Sequence, residues 1–321
     1  MKLLFSLITI ALSGTIYADN FTLGFLDKNP ILSGQFASLN NSLKEKTSGK
    51  HTITVVNYTN ANDLNKDLLN GKLNLIVTNT ENVMEMNPSV DVLNIPYLFN
   101  TISTANLALN KGSGLDLLKG FKDGISGKGF FTMGFRNIYS EYSLKNTDDL
   151  RSLIIGISPS QITERFFTIQ GASPRVVPMN NMYSLAYYKN LNGLDSTFVN
   201  GYLNKFEVVQ KYVNRTEHSI DTWVMLSNKK MFKTLPDNEK RIVDSVLSDF
   251  ISKTNDSVSK NIFDVNEAFA LQDIQKNGLL RIVEPGDTVK ASFKNAVSQV
   301  VSQLSPSDRS LYLSLKTPEA K

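Results

Sequence analysis

Beyond its first eighteen residues the chain alternates short apolar runs with stretches whose apolar side chains recur every three or four positions. Residues 21–26 read as a strand, 32–46 as a helix ending near Gly49, 52–57 as a strand, and 63–69 as a helix stopped by Gly71. Residues 73–77 form a nearly continuous apolar run, the pattern of a strand covered on both faces of a parallel sheet. This βαβαβ order predicts an α/β first lobe. The pattern then shifts through residues 94–99, helical stretches over 105–110 and 115–119, and a strand over 129–135, where the chain is expected to cross between lobes.

A second series follows. Strands are expected over 138–144, 153–157, 175–177, 191–197 and 221–226, and a helix over 161–169 closed by Gly171. Another helix runs to Lys189, capped by Asn180 or Asn181. Pro236 takes a first-turn position in a helix whose apolar residues, from Ile242 to Phe269, keep helical spacing until Gly278, a length of about 40 residues. A strand over 279–283, an amphipathic helix carrying Phe293, Val297, Val300 and Val301, and a last helix beginning Ser305-Pro306 complete the chain.

The N-terminus has one lysine, an apolar stretch from Leu3 to Leu12, then small and polar residues ending at Ala18, the order of a secretory signal peptide cleaved near Ala18. Ten residues of helix rise only about 15 Å, half a bilayer core, so the segment is not expected to persist as an anchor. The sequence has 321 residues and no cysteine, which excludes disulfides, thiol catalysis, cysteine-ligated metals and a lipoprotein anchor. Two histidines are too few for a histidine-rich metal centre, and a formal charge of +4 without a basic, aromatic-interleaved tract gives no nucleic-acid footprint. The expectation is an exported α/β protein with a two-lobe periplasmic binding protein fold: mixed sheets, hinge-crossing segments and a long C-terminal helix. Lobe 1 is expected over 19–135, lobe 2 over 136–225, each with its own core, and C-terminal helices over 226–321, the long one spanning both lobes.

Ordered motifs then add a resemblance. Asn70-Gly71-Lys72-Leu73-Asn74, residues 93–99 (LNIPYLF), Gly134-Phe135-Arg136-Asn137, residues 147–153 (TDDLRSL), Gly171-Ala172-Ser173-Pro174, residues 205–213 (KFEVVQKYV), His218 and Asn228-Lys229-Lys230 resemble, in order, the solute-binding subunits of TRAP transporters, the DctP family. The resemblance implies a monomeric periplasmic receptor, not an enzyme, that takes a small organic ligand, by family precedent a carboxylate. It delivers that ligand to the membrane permease subunits of a TRAP transporter and uses no cofactor or metal. The alternative is a transport-degenerate sensory or protein-interaction module of the same fold.

The same resemblance implies two arginines facing the ligand carboxylate, since a guanidinium pairs with it bidentately. Arg136 matches the first, but Gly156 stands where the main clamp belongs, so the ligand is expected to differ from a simple carboxylate. By the same matching, Ser196 replaces a ligand-facing Asn, Met179 an aromatic, and Asn79 an acidic residue after strand three. The candidate ligand residues are therefore Arg136, Asn79, Gly156, Met179, Asp195, Ser196, His218 and Trp223. Each has a structural reading beside the functional one. Gly156 opens space for a bulky ligand or allows close backbone packing, Met179 and Trp223 line a pocket or fill a core, Asn79, Asp195 and Ser196 contact ligand or cap turns, and His218 is ligand-facing or structural. The serine nucleophile elbow, the phosphate-binding lysine loop and the zinc-binding histidine helix are all absent from the sequence.

Overall fold

A computed structural model describes residues 19–26, 30–233, 235–258 and 280–317. The apolar runs become one mixed sheet. Strand β1 (Asp19–Phe25) lies between β2 (His51–Asn57) and β3 (Leu75–Asn79), parallel to both. On the far side β5 (Ile154–Ile157) lies between β6 (Ser173–Val176) and β7 (Gly193–Thr197), again in parallel. Two long strands join these groups: β4 (Ile125–Ser140), antiparallel to β7, and β8 (Tyr212–Asn228), antiparallel to β3 and to β4. A short β9 (Arg281–Val283) runs along the start of β8.

The expected strands over 129–135 and 138–144 are thus one strand, ending at Ser140. Polar Arg136 and Asn137 interrupt its apolar pattern, and its register on β8 shifts between Thr132 and Phe135 and again between Arg136 and Ile138. The strand expected over 221–226 is only the second half of β8. Its first half, YVNRTEHSI, lacks an apolar run, yet Asn214, Thr216 and His218 are buried there. The expected lobe boundaries at 135/136 and 225/226 fall inside β4 and β8.

Helices cover the sheet where amphipathic spacing places them. On the first group are α1 (Pro30–Lys46), α2 (Ala61–Leu69), α3 (Ile102–Asn110) and α4 (Gly114–Lys119), with 3-10 turns at Thr80–Val83 and Pro88–Asn94. On the second are α5 (Thr147–Arg151), α6 (Gln161–Ile169), α7 (Met179–Tyr187), α8 (Phe198–Leu203) and α9 (Phe206–Val209). Then come α10 (Asp237–Ser257), α11 (Asp287–Ser302) and α12 (Pro306–Lys316). Asn146 caps α5 and Ser305 caps α12 through backbone N–H groups two or three residues on. Helix α7 departs from expectation: it starts at Met179 behind Pro178, with no side-chain cap. The long helix is described to Val258, and its expected continuation to Gly278 lies outside the described residues.

Three clusters of buried side chains hold the layers. Phe25, Phe36, Leu75, Phe131, Trp223 and Phe250 fill the first half beneath α1 and α10. Tyr139, Met182, Leu194, Phe198 and Phe206 fill the second beneath α7, α8 and α9. The third is continuous across both halves, from Leu64 and Ile76 through Phe130 and Ile138 to Ile155, Phe166 and Phe293. The expected picture of one independent core per lobe is corrected to that extent, because β4 and β8 pass through both halves and carry apolar residues to each.

Two glycines separate helix propensity from close packing. A Cβ at Gly34, in α1, meets nothing within 4 Å, whereas one at Gly286, before α11, lands 1.8 Å from the Lys145 carbonyl oxygen. Gly34→Ala should therefore raise the unfolding free energy by about 0.5–1 kcal/mol, and Gly286→Ala should lower it by about 1–3 kcal/mol. Urea denaturation midpoints check both signs.

Candidate functional site: a buried guanidinium where the strands cross

Where β4 passes between β7 and β8, the register sets Arg136 opposite Thr197 on one side and Ser219 on the other. Its side chain is 3% exposed. An arginine cannot shed its proton, so burial demands acceptors and negative charge around it. Asp195 of β7 supplies most: the Arg136 Nε donates to Oδ2 at 3.0 Å and Oδ1 at 3.2 Å, and Nη2 donates to the Asp195 carbonyl at 3.1 Å. Nη1 donates to Oε1 of Glu81, in the turn after β3, at 3.4 Å. Oδ1 of Asp221, on β8, lies 3.6 Å from the same nitrogen.

A second ring of contacts orients these acids. Asp221 Oδ2 accepts from Asn200 Nδ2 and Trp223 Nε1, both at 3.2 Å. His218 brings Nε2 to 3.3 Å from Asp195 Oδ1 without hydrogen-bond geometry, while its Nδ1 bonds Thr216 Oγ1 at 2.9 Å. Its ring stacks on Phe166 at 5.9 Å and meets Phe167 and Phe293 edge-on. Tyr97, in the left-handed region at φ 53°, grips this stretch of β8: its N–H donates to the His218 carbonyl at 2.7 Å and its hydroxyl to that of Thr216 at 3.2 Å.

The acids do not share the charge equally. Burial raises the Asp195 carboxyl, but Arg136 and then His218 outweigh burial and hold it below the usual range. Burial dominates at Glu81, pushing it up to about 8 against the pull of Arg136, with Asp221 adding repulsion. Asp221 is raised as well, by burial first, its hydrogen bonds and Arg136 only partly offsetting that. Arg136 itself is raised: burial disfavours its charge, and the three acids together overcome that. One guanidinium thus holds one firmly ionised carboxylate, beside two whose ionisation is resisted.

The profile of bacterial extracellular solute-binding protein family 7, DctP, matches residues 26–307. The chain belongs to the DctP family. It is 25% identical over 223 residues to the C4-dicarboxylate-binding protein DctB of Bacillus subtilis, an alignment covering 69% of this chain and 62% of DctB. It is 26% identical over 167 residues to the 2,3-diketo-L-gulonate-binding periplasmic protein YiaO of Escherichia coli, half of each chain. The alignments therefore span between half and two-thirds of these curated relatives. Its fold is that of TRAP periplasmic solute-binding proteins. One from Desulfovibrio desulfuricans, with bound sn-glycerol-3-phosphate, superposes at TM-score 0.84 with 18% identity over 93% of this chain and 97% of that one. Another from Shewanella oneidensis, with bound succinate, superposes at 0.81 with 18% identity, covering 92% and 99%.

Of the residues singled out from the sequence, this DctP-family chain brings Arg136, Asp195 and His218 together, with Ser196 next along β7, buried and its Oγ without a hydrogen-bond partner. Trp223 joins through Asp221, though its ring packs against Phe25 at 5.9 Å in the first-half core. Asn79 ends β3, where Asn82 Nδ2 donates to its Oδ1 at 2.7 Å. Met179 packs on the second-half core. The room beside Gly156 is filled: a Cβ there would sit 2.8 Å from Leu191 and 3.3 Å from Leu194, so this glycine serves close packing. Neither nearby arginine replaces the absent clamp, since Arg165 turns to the Gln303 carbonyl at 3.5 Å and Arg175 stands exposed on edge strand β6. Sequence reasoning missed Glu81 and Asp221. The signal for Asp221 was present, a charge set in the strand pattern SIDTWVML, where an acid is buried only beside a partner. Glu81 follows its strand like an ordinary turn residue and carried no such mark.

Arg136→Met should leave three buried acids without their cation and lower the unfolding free energy by about 3–5 kcal/mol, read from urea unfolding at pH 7. The Glu81 carboxyl keeps its proton in the folded chain up to about 8, whereas an unperturbed one loses it near 4.5. Between those values the folded state binds more protons, so this group makes stability fall as pH rises through the window and level off above it. Melting temperatures from pH 5 to 8 should fall less in Glu81→Gln than in wild type; parallel profiles would remove the assignment.

Proposed function

We propose that this chain is an exported receptor that captures a small polar organic solute between its two halves and hands it to the membrane subunits of a TRAP-type permease. The observation that carries this reading is the DctP family match over residues 26–307, on a fold whose two halves are joined by the crossing strands β4 and β8. Related proteins of this fold hold succinate, L-malate and β-D-galacturonate, all small and polar. In this reading the first half takes residues 19–135 and the second 136–225, except that the end of β8 returns to the first half, where Trp223 and Met225 pack. The C-terminal helices from 226 onward brace them, and α10 lies along the first half through Val243, Val246 and Phe250. The leader over residues 1–18 addresses the chain to the periplasm, cleavage falls near Ala18, the absence of cysteine leaves no site for a lipoprotein anchor, and the mature receptor works as a monomer. It performs no chemistry on its solute.

Closure by rotation about β4 and β8 is the motion such a receptor needs. A metabolite survey by thermal shift, followed by X-ray scattering with each hit, should find at least one compound that stabilises the protein and reduces its radius of gyration. At a hundredfold excess over Kd, binding adds about 2.7 kcal/mol to stability. A survey with no stabilising compound, and scattering unchanged by any of them, would sink the reading.

A further inference from the structure

We propose that Glu81 and Asp221 set the ligand class of this receptor, turning it away from a bare carboxylate and toward a solute that presents a cationic nitrogen, an ammonium or its alkylated form. The inference rests on the receptor reading above and names its substrate class.

Three observations carry it. First, each Arg136 nitrogen already donates to a protein oxygen, to Asp195 from Nε and Nη2 and to Glu81 from Nη1, so three of its five N–H groups are engaged by the protein's own acids. Glu81 reaches Nη1 from a separate element, the turn after β3, and so stands where an incoming carboxylate would have to compete. Second, three acids face one guanidinium, and burial resists the ionisation of two of them: a cation beside Glu81 and Asp221 would favour their charged forms, whereas a further carboxylate would oppose them. Third, beside Ser196 Oγ and His218 Nε2, two of the cluster's unmet atoms are carboxyl oxygens. Glu81 Oε2 and Asp221 Oδ1 have no hydrogen-bond donor although both side chains are at least nine-tenths buried. Buried acceptors without donors are costly, and a charged N–H group supplies the donor and the charge together. A solute carboxylate supplies neither.

The surroundings narrow the class. Leucines close the space beside Gly156, which leaves no second arginine to hold an anion there. Among the described residues no group of three or more His, Asp and Glu side chains has the geometry to hold a metal ion.

The test combines native mass spectrometry of the exported chain, purified without refolding, with calorimetric titration of putrescine, glycine betaine and succinate. Wild type, Glu81→Gln and Asp221→Asn are compared, with melting curves to show that each variant is folded. The solute retained or titrated should carry a cationic nitrogen and bind at least tenfold more tightly than succinate. Each acid-to-amide change should weaken it at least tenfold and narrow its margin over succinate. Wild type that carries or prefers a carboxylate lacking a cationic group, or variants that leave the preference unchanged, overturns the inference while the receptor reading stands. A chain that binds no solute, here or in the metabolite survey, removes both.

Discussion

A guanidinium that cannot lose its proton has been placed where water does not reach, and the middle of the molecule is arranged around that constraint. Arg136 needs acceptors in several directions at once. They come from β7, from β8 and from the turn after β3, elements far apart in the chain, so its side chain ties together strands that no local sequence pattern would pair. Ion pairs of this kind are not a cheap source of stability, because taking the charges out of water offsets most of their attraction. What the cluster supplies is definition. The ladder between β4 and β8 slips on both sides of Arg136, and the side-chain bonds hold the strands there where backbone pairing is irregular.

Around this cluster the architecture has a continuous spine and two wings. Strands β4 and β8 extend through both halves, and one apolar cluster follows them across both, while the remaining two clusters lie mainly in one half each, Val199 of α8 reaching into the first. Relative motion of the halves must therefore bend the two long strands or slide the side chains of the shared cluster. The bulges beside Arg136 and the left-handed Tyr97 gripping β8 lie at the place where that bending would fall. Structure and charge meet at one point, so a change in the ionisation of the cluster acts directly on the crossing.

The relation to the family is one of shared frame and altered chemistry. The fold and the order of motifs follow the DctP pattern, and β4 carries Arg136 to a position between β7 and β8. The environment of that arginine is this chain's own. An aspartate, a glutamate and a second aspartate surround it, and a leucine-lined glycine sits on β5, one strand beyond β7. Substrate class depends on such details of charge and space, which a shared fold leaves free.

Much of this was written in the chain. Apolar periodicity determined the α/β class and the order of most elements, and the sequence of motifs determined the family, because these depend on neighbours three or four positions apart or on short fixed spacings. Arg136, Asp195 and His218 were also legible, each as a residue worth singling out, but not that the three meet. The unity of β4 and β8 was not, since polar residues within them break the pattern that marks a strand, and only pairing with a distant partner reveals it. Nor were the roles of Glu81, Asp221 and Gly156. Whether an acid faces water or a buried cation, and whether a glycine opens a pocket or closes a core, is decided by what the folded chain brings alongside it, and those neighbours lie tens of residues away.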